Sequence, residues 1–209
     1  MQIPSKLIFP SEREPLKIKS IVLHSETFIY KRKQYAYTDV RKLDFNWFAF
    51  DSVRPGLPIT LDMSFDVVDL KKRIKLSTGI DLFFILNMSK NKNFYSAYSH
   101  IAKSSFDIRY QDYLRKIESK GYFHYHDHVF SKDRISKSDS DEIILDPKGM
   151  IIKDHPLGFI LFTKKDVEAT TWQKLTPFNP RMLGIIGVHE DKDVLERLFT
   201  DYYSIIVRK

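Results

Sequence analysis

The 209-residue chain contains no cysteine. That absence excludes a disulfide-stapled secreted scaffold, Cys-ligated zinc, iron–sulfur clusters and thiol nucleophiles. Glycine is scarce as well, with seven residues, so long flexible linkers are not expected. Long apolar runs are missing: residues 82–86 (LFFIL) and 159–162 (FILF) are the longest, far below the roughly 18–20 residues that cross a bilayer. The opening stretch MQIPSKLIFPSEREP has no apolar segment like that of a secretory signal. A soluble, cytoplasmic protein without a transmembrane segment is therefore expected. Also lacking are a Gly-rich phosphate loop, a Gly-x-Ser-x-Gly elbow and a His-Glu-x-x-His pair. Nothing in the order of Ser, His and Asp nominates a triad, and no cofactor is expected.

Aromatic residues are what the chain has in abundance, with 16 Phe and 11 Tyr in a composition that is 43% hydrophobic. A chain of this size hides roughly 70–75% of its unfolded surface, and the material for a core is ample. The net charge of +7 and pI near 9.3 favour acidic partners, namely nucleic acid, anionic lipid or an acidic protein surface. The basic residues are interleaved with 27 acids along the whole length. A basic solvated surface accounts for the same numbers.

Periodicity divides the chain. Residues 1–15 hold Pro4, Pro10 and Pro15, which deny donors to a sheet and indicate an extended arm. Residues 16–92 read as β-rich: Leu16 and Ile18 alternate with lysines, Ile21-Val22-Leu23 and Thr27-Phe28-Ile29-Tyr30 follow, and Lys31-Arg32-Lys33-Gln34 interrupts as a hairpin tip. Tyr35 and Tyr37 then share one face. Ile59, Leu61, Met63 and Phe65 alternate with Thr60, Asp62, Ser64 and Asp66 as a half-buried strand, and Ile74, Leu76 and residues 82–86 suggest further strands. Over residues 93–120 the period changes to helical, with Asn93 as a candidate N-cap and Gly121 as the stop. Two short helices or one kinked helix fit this bridge. Residues 121–209 return to period two, with strands expected near 122–126, 128–133, 142–146, 149–153, 158–163, 167–172 and 183–188. Asp191 then precedes a terminal helix striped by Val194, Leu195, Leu198, Phe199 and Tyr202. The fold class expected is α+β, mainly antiparallel, with two β-rich halves packed as one unit.

Phe28, Ile29, Tyr30, then a basic tip, then Tyr35, Tyr37, Asp39 and Val40 make a pattern of apolar strand, charged turn and aromatic-x-aromatic-x-Asp-Val. Residues 121–125 (GYFHY) followed by residues 129–135 (VFSKDRI) make a second opening of the same kind after the helix. These stretches resemble bacterial pleckstrin-homology-like (PH-like) proteins over about half of the chain. Asp133-Arg134 departs from the resemblance, standing where a turn glycine is usual, and the first half lacks a complete closing helix of its own. The resemblance implies curved sheets or barrels with a helix plugging one end. It also implies a non-catalytic module that binds a protein, a peptide or a lipid headgroup.

Three constellations carry candidate chemistry. Lys31, Arg32 and Lys33 at a hairpin tip, with Lys71, Lys72 and Arg73 in a later turn, make a composite anion site if the fold brings them together; the same charges also keep a tip soluble and discourage edge pairing. The expected ligand is an acidic protein surface or an anionic lipid headgroup. His124, His126 and His128 have the spacing of one strand face, roughly 6–7 Å apart. Imidazoles so placed can share zinc, the basis of a metal-dependent hydrolase as the alternative reading. That spacing is one residue short of the His-x-His-x-Asp-His motif of metallo-β-lactamase-like hydrolases. Tyr35, Tyr37, Phe45, Trp47, Phe48 and Phe50 beside lysines are the third set, able to stack on nucleic-acid bases or to pack a core. The acids Asp139, Asp141, Glu142 and Asp146 lack the Glu-x-Lys element of a nuclease and read as a polar loop.

Overall fold

A computed structural model describes residues 7–48, 59–80, 88–137, 143–145, 150–155, 158–163, 184–187 and 190–208. The chain divides into two units, Met1–Arg109 and Tyr110–Lys209. The class is α+β with mainly antiparallel strands, as the alternating pattern predicts.

The first unit opens with an antiparallel meander of four strands, β1 (Leu16–Ile18), β2 (Ile21–Leu23), β3 (Thr27–Tyr30) and β4 (Lys33–Ala36), in spatial order 1-2-3-4. A one-turn 3-10 helix, Tyr37–Asp39, turns the corner. The Asp39 carboxylate accepts the Ala36 N–H at 3.1 Å, while its carbonyl accepts the Val68 N–H at 3.0 Å. This is the physical content of the Asp-Val step: a short acid satisfies the donor that the ladder drops at the bend. A second antiparallel meander follows, β5 (Val40–Phe48), β6 (Ile59–Val67) and β7 (Ile74–Ile80). Phe28 of the first sheet stacks on Tyr35 at 5.4 Å and meets Phe65 of the second edge-on at 5.5 Å. Leu61, Met63 and Phe65 are buried, so the alternation along β6 sets the inward face of that sheet.

Helix α1 is continuous from Met88 to Lys120. It begins before Asn93, which lies inside it rather than at its cap. No break occurs at Ser104-Ser105, because Ser105 Oγ donates to the Ile101 carbonyl at 2.7 Å and accepts from Arg109 Nε at 3.0 Å. A serine that returns its hydroxyl to the preceding turn stays compatible with a helix. Gly121 ends the helix at φ +82°, with its N–H on the Ile117 carbonyl at 2.9 Å. On the first unit's share of α1, Phe94, Ala97 and Ile101 are buried, and Phe45 stacks on Tyr98 at 4.3 Å.

The second unit repeats the order. A four-stranded antiparallel meander, β8 (Tyr122–Tyr125), β9 (His128–Ser131), β10 (Ile135–Lys137) and β11 (Ile143–Leu145), precedes a second sheet of β12 (Met150–His155), β13 (Gly158–Thr163) and β14 (Gly184–Gly187). Helix α2 (Lys192–Arg197) follows, its last turn widening over Leu198–Tyr202. The terminal strand β15 (Ile206–Arg208) then lies parallel to β12. Phe123 and Phe130 stack at 4.9 Å, and Phe199 of the widened turn reaches Phe130 at 6.0 Å and Phe159 at 5.0 Å. Strands β10 and β15 were not expected. Each has three residues, too short for alternation to register. The strands expected at 82–86 and 167–172 lie outside the described residues.

Glycine scarcity is visible in the turns. Non-glycine residues take positive φ at Lys19 (49°), Lys31 (50°), Arg32 (66°) and His126 (50°), each in a two-residue connection between paired strands. An L-residue in that region carries a cost of about 1–2 kcal/mol.

Behind the β2–β3 turn, the His24 carbonyl is approached by Tyr37 Oη at 2.9 Å and His100 Nε2 at 3.0 Å. A carbonyl can only accept, so Nε2 carries the hydrogen. Burial, foremost, holds the His100 pKa below the ordinary 6.5, although the hydrogen bonds to the turn act the other way.

Two outcomes follow. Phe65→Ala removes the ring that joins the two sheets of the first unit. It should destabilise that unit by about 3–5 kcal/mol, read as a lower urea midpoint in circular dichroism. His100 binds a proton more readily unfolded than folded, so its contribution is full above the unfolded pKa and declines as pH falls through it. Thermal stability should therefore fall below about pH 6.5, and His100→Gln should flatten that decline; an unchanged slope would remove His100 as its source.

Candidate functional site

The basic tip forms because β3 and β4 pair with Tyr30 opposite Lys33, leaving Lys31-Arg32 as the two-residue loop. Both loop residues have the positive φ that a type I′ turn requires, at positions where Asn-Gly is the favoured pair. Two long cations thus stand where the backbone prefers small residues. Their side chains are exposed, and the Lys31 ammonium lies over the Tyr30 ring at 5.4 Å. Lys33, on the first residue of β4, sits over Tyr35 at 5.1 Å and reaches Asp69 at 4.0 Å.

Asp69 belongs to the β6–β7 connection, which also carries Lys71, Lys72 and Arg73, so this connection lies within one lysine side chain of the tip. Lys71 and Lys72 are exposed. Arg73 is used differently: its Nε donates to Asp66 at 3.1 Å and its Nη1 lies 3.9 Å from Asp44, so it is tied to carboxylates on β6 and β5. Among the described residues Arg32, Lys71 and Lys72 make no ion pair. Beside them Val68 is a large apolar side chain left 53% exposed.

Charge is distributed unevenly between the units. The sequence places 18 basic and 11 acidic residues in Met1–Arg109, against 16 and 16 in Tyr110–Lys209. The whole excess of +7 belongs to the first unit.

The histidines do not share a face. Along β8, Phe123 and Tyr125 are buried while Tyr122 and His124 are exposed. The chain then reverses at His126-Asp127, His126 being exposed in the turn at φ 50°. His128 pairs with Tyr125 and is buried, its Nδ1 2.9 Å from Asp127 Oδ1. The tight turn breaks the period of two that an uninterrupted strand would have kept. Among the described residues no group of three or more His, Cys, Asp or Glu is placed to hold a metal ion.

The aromatic set is not a stacking platform where it is described. Tyr35 and Tyr37 are buried, and Phe45 packs against α1. The side chains of Trp47 and Phe48 lie outside the described residues, as do Phe50, Asp139, Asp141, Glu142 and Asp146. No helix among the described residues is long and apolar enough to cross a membrane.

One feature escaped sequence reading. Ile8, Phe9 and Glu12 of the arm contact Ser96, His100 and Ser25 respectively. Spacing along the chain carries no signal for such a contact, because the partners are up to 91 positions apart.

Comparison of the chain with protein-family models, with curated proteins and with solved structures finds no match.

Replacing the tip by the favoured pair, Lys31→Asn with Arg32→Gly, should stabilise the first unit by about 1 kcal/mol through relief of the left-handed backbone. A rise in urea midpoint checks this; a fall would mean that the cationic side chains hold the hairpin.

Proposed function

We propose that the chain is a non-catalytic, PH-like interaction protein whose first unit binds an acidic protein surface through Lys31, Arg32, Lys33, Lys71 and Lys72. The order of four-stranded meander, second sheet and helix, present in both units, supports the PH-like reading, although the second unit's second sheet carries β15 as a fourth strand parallel to β12. The observation that carries the binding site is the 4.0 Å approach of Lys33 to Asp69, which brings two basic loops to one neighbourhood. Placing cations on strained backbone supports a role for them beyond solubility, because strain persists where something other than local preference selects it. Arg73 serves as a brace for the β6–β7 connection, and its carboxylate partners leave the ligand to the lysines and Arg32.

An anionic lipid headgroup is the second reading, and the exposed Val68 favours it. An apolar side chain among cations suits a bilayer surface, where the charges meet headgroups and the valine enters the boundary between headgroup and acyl chain.

The test uses fluorescent polyglutamate and vesicles containing anionic phospholipid, titrated at low and at physiological salt. Lys31→Glu with Arg32→Glu should weaken binding of the preferred probe by roughly tenfold or more, equivalent to about 1.4 kcal/mol. Added salt should weaken it too, since exposed charges are screened beyond about 8 Å at physiological ionic strength. Val68→Ser should affect vesicles and spare polyglutamate. Charge reversal without effect on either probe would sink the proposal.

A further inference from the structure

Residues 7–15 cross the first unit without forming a strand, in keeping with Pro10 and Pro15. Four contacts position them. The Ile8 N–H donates to Ser96 Oγ at 2.9 Å, and that serine is fully buried on α1. The Phe9 ring centre is 6.4 Å from that of His100, which in turn stands edge-on to Tyr37 at 5.0 Å. Pro10 is buried. Glu12 Oε1 accepts from Ser25 Oγ at 2.6 Å, and its Oε2 lies 3.6 Å from His24 Nδ1. The arm then turns, with the Ser11 N–H on the Glu14 carbonyl at 3.1 Å and the Glu14 N–H on Ser11 Oγ at 2.9 Å.

Each contact reads a different chemical feature: a main-chain N–H, an aromatic ring, a proline ring and a carboxylate. Extended peptides are recognised in this way, with main-chain bonds holding the backbone and separate pockets reading the side chains. The arm fits imperfectly, however. Ile8 and Phe9 remain 44% and 54% exposed, so much of their apolar surface stays in water. An occupant that buried the same positions more fully would displace it, because apolar surface removed from water contributes about 25 cal/mol per Å².

We propose that the cleft between the β2–β3 turn and the face of α1 bearing Ser96 and His100 is a peptide-binding groove. The arm fills it in cis, and its partner is an extended segment with the aromatic-Pro-x-Glu pattern of Phe9, Pro10 and Glu12. The groove is distinct in residues from the basic tips: Ser25, Ser96 and His100 take no part in the anion site, and the groove receives one carboxylate, that of Glu12. Ser25 is the carboxylate receptor. Its hydroxyl, foremost, keeps the Glu12 carboxyl below its ordinary pKa, with His24 adding to the effect. Ser96 supplies the acceptor for the ligand's backbone, and Tyr37 and His100 form the aromatic wall.

A dye-labelled peptide with the sequence of residues 6–16 tests the groove, titrated into the full chain and into its Phe9→Ala/Glu12→Ala variant. Weakening the cis occupant raises the fraction of open grooves, so the variant should bind the peptide roughly tenfold or more tightly than the parent. Adding Ser25→Ala should remove that gain, and a peptide with its own Phe and Glu replaced by alanine should not bind. A concentration-dependent dimer that the free peptide dissolves would identify a second copy's arm as the occupant and support the groove. Equal affinity for parent and variant would overturn the proposal. So would no binding to either up to about millimolar peptide, with circular dichroism showing the variant folded. Neither result would touch the anion site, whose readout is the vesicle and polyglutamate titration.

Discussion

The edge-on packing of Phe28 against Phe65 is the contact on which the first unit depends. Each ring lies on the inward face of a different antiparallel meander, and neither sheet can bury that face alone. Once the two faces meet, the corner at Tyr37–Asp39 follows, since the chain must leave one sheet and enter the other within three residues. The Asp39 carboxylate makes that corner affordable by accepting the Ala36 N–H. Helix α1 closes the arrangement with Phe94, Ala97 and Ile101, and Phe45 joins it from β5. The second unit solves the same problem with Phe130, Phe159 and Phe199.

Similar strand order does not mean similar surface. All of the excess positive charge lies in the first unit, and the second is balanced. The two-residue turn between the first pair of strands is Lys19-Ser20 in one unit and His126-Asp127 in the other. Both place a non-glycine residue at positive φ, yet one presents an ammonium and the other an imidazole beside a carboxylate. The architecture is shared, and the chemistry at the tips is what differs.

Much of the fold was legible in the residues. Leu61, Met63 and Phe65 alternate with polar neighbours, so β6 and its inward face could be read directly. Gly121 marked the end of α1 through its positive φ, and the basic character of the β3–β4 tip was plain. The errors have local causes. Asn93 resembled a cap, but the helix had already begun at Met88. Two short helices or a kink were expected within 93–120, because a pattern cannot reveal that the Ser105 hydroxyl is returned to the preceding turn. The histidine cluster failed for a related reason: spacing two implies a common face only while the strand is unbroken, and His126 sits in the turn.

The sequence by itself determined the class of secondary structure, the inward faces of the long strands and the positions of the basic tips. These are properties of neighbouring residues, set by periodicity and by backbone preference. Only the tertiary structure decided that Lys33 reaches Asp69 of the β6–β7 connection, that Arg73 is bound to Asp66 and Asp44, and that the arm lies on Ser96 and His100. Apart from Arg73 and Asp66, seven positions apart, those relations join residues distant in the chain. Hydrophobic burial fixes them by choosing how the sheets and helix meet, and no short window of sequence contains that choice.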